Sequence, residues 1–160
     1  MYVAMPIRKA KLGQTGLDVT NIRFGSSGIG DMPETYDYSV GEERGKSTIR
    51  SIFSGPVNFL DTSRIYGMGR SEHRIGDVVR ELGGLAKGFV VSTMLDRDFT
   101  TNRFDVAQAR RSLEESLKAA SPSIIVLPTR SFCSSPTTKP NFSVQSSALR
   151  VKSVTLELAT

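Results

Sequence analysis

The segment NFLDTSRIYGMGRSEHRIGDVVREL, residues 58–82, concentrates the residue types that can do chemistry in this 160-residue chain. A short apolar run delivers Asp61, and a polar spacer then presents Tyr66. Gly67 and Gly69 permit a tight backbone turn before Ser71 opens a helix. A carboxylate and a phenol emerging together from the end of a strand are candidates for proton transfer. In a parallel α/β barrel, active sites assemble at the C-terminal strand ends. The same residues also fit a blander description, in which Asp61 caps a turn and Tyr66 packs with its hydroxyl in solvent.

The elements needed to position these groups can be read around them. Residues 9–20 alternate around Gly13 to Gly16 as a short hairpin. A strand at Ile22 to Phe24 runs into Gly25-Ser26-Ser27-Gly28-Ile29-Gly30. That spacing is G-x-x-G-x-G with no helix directly behind it, which argues for a tight loop over a barrel mouth and against a dinucleotide fingerprint. Ser39 and Glu42 suggest a capping box for a helix over residues 40–54, ended by Gly55-Pro56. Val57 to Leu60 is the next strand, ending at Asp61. Ser71 is the expected cap of a helix bearing Ile75, Val78, Val79 and Leu82, stopped by Gly83-Gly84. Phe89 to Thr93 is a further strand, and residues 105–119 form a helix with Asp105 as its cap and Val106, Ala109, Leu113 and Leu117 on one face. Alternation of strand and helix requires a parallel sheet covered by helices, as a barrel or a doubly wound sheet. The lone histidine, His73, is expected on the solvent side of the second major helix.

Near residue 120 the composition changes. Residues 121–160 hold 18 Ser, Thr or Pro and one acidic residue, with a fourth strand at Ser123 to Leu127, a weak edge strand at Val151 to Leu158, and otherwise an irregular tail. The chain therefore divides into residues 1–120 and a divergent tail, 121–160. Of the net charge of +5, the tail supplies +3, from four basic residues against one acid. Those bases are scattered and lack interleaved aromatics, so nucleic-acid binding is not expected. One cysteine, Cys133, and one histidine exclude an internal disulfide and a zinc site of the usual spacing. The first residues lack the apolar run of a secretory signal, and no stretch reaches the roughly 18 apolar residues of a membrane helix, so a cytoplasmic protein without a membrane partner is expected.

FLDTSRIYGMGRSEHRIG resembles the signature of the aldo-keto reductases, and KLGQTGLDV followed by IRFGSSGIG resembles that family's opening hairpin and first barrel strand. The resemblance covers about residues 8–119 and looks most like the branch acting on aldoses such as fucose or galactose, or on pyridoxal-type substrates. It implies a partial (β/α)8 barrel with an N-terminal hairpin and the first three to four βα units. It also implies hydride transfer between NADP or NAD and a small carbonyl or sugar substrate. Tyr66 falls at the family's acid/base tyrosine and Asp61 at its aspartate. Gly28, Thr62 and Ser63 fall where the family places cofactor or substrate contacts. In the family a lysine ending the third strand lowers the tyrosine pKa, and a histidine ends the fourth strand. Here the lysine position holds Met94, and SIIVL is followed by Pro128-Thr129-Arg130 with no histidine. A thioether carries no charge to tune a phenol or neutralise a carboxylate.

A complete barrel of this kind needs roughly 250 residues. The expectation is therefore a truncated or frameshifted aldo-keto reductase that is catalytically impaired and binds its dinucleotide weakly. Two alternatives accompany it: a non-catalytic binding module that self-associates through exposed barrel edges, and an enzyme completed by a partner half.

Overall fold

The structure is a computed structural model that describes residues 6–96, 98, 100–101, 106–120, 125–127 and 149–150. Strands β1 (Lys9–Lys11) and β2 (Asp18–Thr20) form the expected hairpin, with Lys9 opposite Thr20 and Lys11 opposite Asp18. Gly13 and Gly16 supply the positive φ angles, 53° and 73°, that its turn requires. Strand β3 (Phe24–Gly25) leads through a 3-10 turn (Ser27–Ile29) to α1 (Pro33–Tyr36) and α2 (Glu42–Phe53). Then follow β4 (Phe59–Asp61), α3 (Arg70–Glu81), β5 (Val90–Met94), α4 (Val106–Ala119), β6 (Ile125–Leu127) and β7 (Leu149–Arg150).

Strands β3, β4, β5 and β6 pair in parallel in sequence order. Three strand-helix units and a fourth strand are thus laid side by side, which is an open arc of α/β sheet among the described residues. The final pair departs from the all-parallel expectation, because β7 runs antiparallel to β6, with Ile125 opposite Arg150. The weak strand expected at Val151 to Leu158, the helix cap Asp105 and Arg130 lie outside the described residues.

Register decides which way each side chain faces, since strand residues alternate between the two faces. Leu60 and Val91 are paired and point to the helices. There they join Ile29, Ile49, Ile52, Ile75, Val78, Val79 and Ala120 in the main core. Phe59 and Val90 face the other way and pack with Val19 of the hairpin. Asn58 ties the hairpin on: its Oδ1 accepts from the Thr20 amide at 2.8 Å, and its Nδ2 donates to the Asp18 and Gly88 carbonyls at 2.9 and 2.7 Å. Asp61, Ser92 and Met94 continue the face opposite the helices, toward the C-terminal strand ends.

Two helix starts differ from the sequence expectation. Helix α2 begins after Gly41 with no side-chain cap, so Ser39 and Glu42 form no capping box. Glu42 instead accepts from the Arg74 guanidinium at 2.9 Å, and a charge-assisted bond to a buried cation outweighs a neutral cap. Helix α3 begins at Arg70 after Gly69, whose φ is 90°. Ser71 is therefore inside the helix and fully buried, and it bonds to Ser26 instead of capping. At the other end, Gly83 adopts a φ of 73° and the Gly84 amide returns to the Val79 carbonyl at 2.8 Å, the expected glycine stop.

Helices α3 and α4 approach so closely at Gly76 that a Cβ there would overlap the Ala119 carbonyl oxygen and lie 2.9 Å from the Ala120 carbonyl oxygen. Gly76→Ala is expected to destabilise the fold by about 1–3 kcal/mol through overpacking. Gly25→Ala, whose added carbon meets nothing within 4 Å, should be near neutral. Paired thermal melts of the two variants check this.

Candidate active site

Asp61 is the last residue of β4 and is buried, with 9% of its surface exposed. On the adjacent strand, the Ser92 hydroxyl donates to Asp61 Oδ1 at 2.7 Å. Met94 ends β5 on the same face, two residues beyond Ser92, and is half-buried. The strand end therefore carries a carboxylate held by a hydroxyl and flanked by a thioether.

Tyr66 follows in the turn after β4, where its amide bonds the Ser63 carbonyl at 3.0 Å. It is half-buried. Burial raises the phenol pKa above its ordinary value, and the Asp61 charge adds to this; Tyr36 and Asp96 push the same way, while Arg23 opposes them. Acid/base work at neutral pH calls for a shift in the other direction. Position 94 is a methionine, whose thioether carries no charge.

A backbone mould fixes the position of Tyr66. Gly67, Met68 and Gly69 take successive positive φ angles of 63°, 55° and 90°. A Cβ on Gly67 would overlap the Gly30 carbonyl oxygen, and one on Gly30 would sit 2.8 Å from the Tyr66 carbonyl carbon. Two arginines one helical turn apart on α3 hold the Gly30 loop in place. Arg70 donates from Nε to the Gly30 carbonyl at 2.9 Å and also to the Asp31 carbonyl. Arg74, 4% exposed, donates to the Ile29 carbonyl, to the Val40 carbonyl at 3.0 Å and to Glu42. Sequence reading missed Gly30, Arg70 and Arg74 as site residues. In the sequence they look like a loop glycine and two ordinary helix cations, and their i,i+4 spacing carries meaning only once the loop lies against them.

Gly28, Thr62 and Ser63 lie beside this mould. Thr62 and Ser63 are fully buried, and their hydroxyls are engaged internally, Thr62 with Ser71 at 3.2 Å and Ser63 with Asp96 at 3.4 Å. A Cβ on Gly28 would sit 3.4 Å from the Tyr38 hydroxyl. Gly28 itself is half-buried. His73 is exposed in the first turn of α3. Among the described residues, no group of three or more His, Cys, Asp or Glu is placed to hold a metal ion, and no helix is long and apolar enough to cross a membrane.

Behind the strand ends is a second acidic centre. Glu72 on α3 is 1% exposed and accepts from the Thr93 hydroxyl at 2.6 Å through Oε1, while its Oε2 has no partner among the described residues. Asp96, two residues past Met94, is buried with Oδ2 likewise unpartnered, and the Ser112 hydroxyl accepts from its amide at 3.1 Å. Burial raises both carboxyls, and the Glu72 charge helps push Asp96 to about 6. Arg64 pulls both down, but its guanidinium is already paired with Glu115.

Comparison with known proteins agrees with this geometry. The aldo/keto reductase family model matches residues 21–121, and the chain belongs to that family. It is 33% identical over 107 residues to L-galactose dehydrogenase of Arabidopsis thaliana, covering 67% of this chain and 32% of that protein. It is 30% identical over 95 residues to pyridoxal 4-dehydrogenase of Microbacterium luteolum, covering 59% of this chain and 26% of that one. The solved structure of an aldo-keto reductase from Pseudomona aeruginosa superposes with a TM-score of 0.58 at 27% identity, over 75% of this chain and 45% of that one. The holo form of a Bacillus halodurans aldo-keto reductase superposes at 0.60 over 76% of this chain and 40% of that one; its 18% identity speaks for the fold alone. The chain spans about a third of the L-galactose dehydrogenase's length and about a quarter of the pyridoxal 4-dehydrogenase's.

The raised Asp96 carboxyl sets the sign of a pH effect. A folded-state pKa above the unfolded one means the native state binds the extra proton. Its stability contribution is therefore largest below the ordinary value of 3.8 and is lost as pH rises through about 6. Asp96→Asn should flatten that decline, gaining about 1–2 kcal/mol relative to the parent at pH 7. Denaturant melts of both proteins at pH 4 and pH 7 measure it; an unchanged difference between the two pH values contradicts it.

Proposed function

We propose that this chain carries the acid/base half of an aldo-keto reductase site, with Tyr66 exchanging the proton at the carbonyl or alcohol oxygen of a small substrate, an aldose or a related sugar, while the hydride passes to or from the adjoining carbon. The observation that carries this reading is the joint placement of Asp61 and Tyr66 at the C-terminal end of β4, with Ser92 orienting the carboxylate. The similarity to an L-galactose dehydrogenase and a pyridoxal 4-dehydrogenase supports a polar, oxygen-rich substrate. NADP or NAD is the hydride partner in this reading. Because the Thr62 and Ser63 hydroxyls are buried and engaged internally, they are not free to hold the dinucleotide, and in this reading the chain by itself binds the cofactor weakly.

Within the reaction, Tyr66 must hold a proton in hydrogen-bond reach of the substrate oxygen. Its burial and the nearby Asp61 favour the protonated phenol. A phenol held in this way stays protonated at neutral pH but is a weaker acid, so proton transfer to the developing alkoxide, and by microscopic reversibility its return, are both slowed. Met94 supplies Asp61 with no counter-charge that would ease the transfer. Catalysis by this chain is accordingly impaired.

Met94→Lys is expected to raise NADPH-dependent aldose reduction by about tenfold or more, and Tyr66→Phe on that background should abolish the gain, the range general acid–base groups supply being about 10²–10⁴-fold. Steady-state rates checked by single-turnover measurements test it. A lysine variant no faster than the parent would remove position 94 from the site.

A further inference from the structure

The spacer between Asp61 and Tyr66 runs from Thr62 to Ile65, and the side chains of its first three residues are gripped by three different parts of the fold. The Thr62 hydroxyl meets that of Ser71 on α3 at 3.2 Å. The buried Ser63 hydroxyl donates to Asp96 Oδ1 at 3.4 Å, a long bond, and the Ser63 carbonyl accepts from the Tyr66 amide at 3.0 Å. The Arg64 guanidinium pairs with Glu115 of α4. Asp96 is itself fastened to that helix, because its amide donates to the buried Ser112 hydroxyl at 3.1 Å. Ser112 and Glu115 are three residues apart and so share one face of α4. That face reaches the Tyr66 turn along two routes: directly through Glu115 and Arg64, and through Ser112, Asp96 and Ser63.

We propose that Arg64 and Glu115 are positioning residues for Tyr66, docking the turn that carries it onto α4. This rests on the reading of Tyr66 as the acid/base group. The Gly30 backbone holds the turn at the Tyr66–Gly67 peptide. The ion pair holds it two residues before the tyrosine. A turn pinned on both sides of a residue leaves that residue few alternative backbone conformations, and a reacting group displaced by about 1 Å loses much of its effect. The Arg64 and Glu115 side chains are 33% and 52% exposed, so the pair adds little to global stability and acts on the local opening of the turn.

Hydrogen–deuterium exchange of the full chain, followed at the peptide containing the Tyr66 amide, tests this without requiring turnover. Glu115→Gln keeps the size of the side chain and removes its charge. It should speed exchange at that peptide about two- to fivefold, while peptides from the β4 and α3 core exchange at the parent rate. Arg64→Glu should speed it as well, and combining Arg64→Glu with Glu115→Arg should restore the parent rate. At the phenol itself, the fluorine resonance of 3-fluorotyrosine at position 66, assigned by its loss in Tyr66→Phe, should shift in Glu115→Gln and return in the swapped pair. Parent-like exchange and an unmoved resonance in Glu115→Gln would overturn the proposal. A swapped pair as fast as Arg64→Glu alone would do the same, since that outcome marks lost packing instead of lost pairing. Equal acceleration of the core peptides would also count against it, by assigning the pair to the stability of the whole fold. Absence of turnover in every variant, Met94→Lys included, would defeat the acid/base reading and leave the docking of the turn standing.

Discussion

The approach of the Gly30 backbone to the Tyr66–Gly67 backbone is the constraint on which the site depends. No side chain fits between the two loops, so the tyrosine is placed by main-chain contact. Such a contact would drift if the loop after β3 were free. It is held by Arg70 and Arg74, whose guanidinium groups take up the carbonyls of residues 29, 30, 31 and 40. Burying a cation is costly unless it is paired and its donors are satisfied, and Arg74 meets both conditions through Glu42 and two carbonyls. One helix therefore serves both loops. Its apolar side closes the main core with Ile75, Val78 and Val79, and its first turns anchor the tyrosine's surroundings.

Charge is distributed unevenly around that frame. Asp61, Glu72 and Asp96 lie at or near the C-terminal ends of β4 and β5, while among the described residues Arg64 is paired with Glu115, Arg74 with the loop carbonyls and Arg23 stands over Phe59. A low-dielectric environment magnifies this imbalance, which is why the Glu72 and Asp96 carboxyls and the Tyr66 phenol move toward their neutral forms. Met94, at the end of β5, adds no charge to that balance. The fold tolerates this, because Ser92 satisfies Asp61 and a half-buried methionine packs without demanding a partner.

Much of this organisation is legible in the sequence. The Asp61, Tyr66 and glycine spacing marks the strand-turn-helix unit, and the alternation of apolar strands with helical periods calls for a parallel sheet, because both signals are local and repeat with the period of the element. The ends of elements were less legible. Ser39 with Glu42, and Ser71, read as caps by local rules. Glu42 was drawn to a cation 32 residues away and Ser71 to a serine 45 residues away, and both of those bonds exist only after folding. The antiparallel β7 likewise had no local signature.

What the sequence determined alone is the family, the order of elements and the identity of the groups at the strand end, including the methionine at position 94. Each follows from residue type and short-range spacing, which the chain carries whether folded or not. Tertiary structure decided which groups feel one another: that Gly30 moulds the tyrosine, that Arg23 stands over Phe59, and that Asp96 and Glu72 are pressed together out of water. Those relations join residues some 20 to 45 positions apart and depend on strand register, where a shift of one residue would send every side chain to the other face.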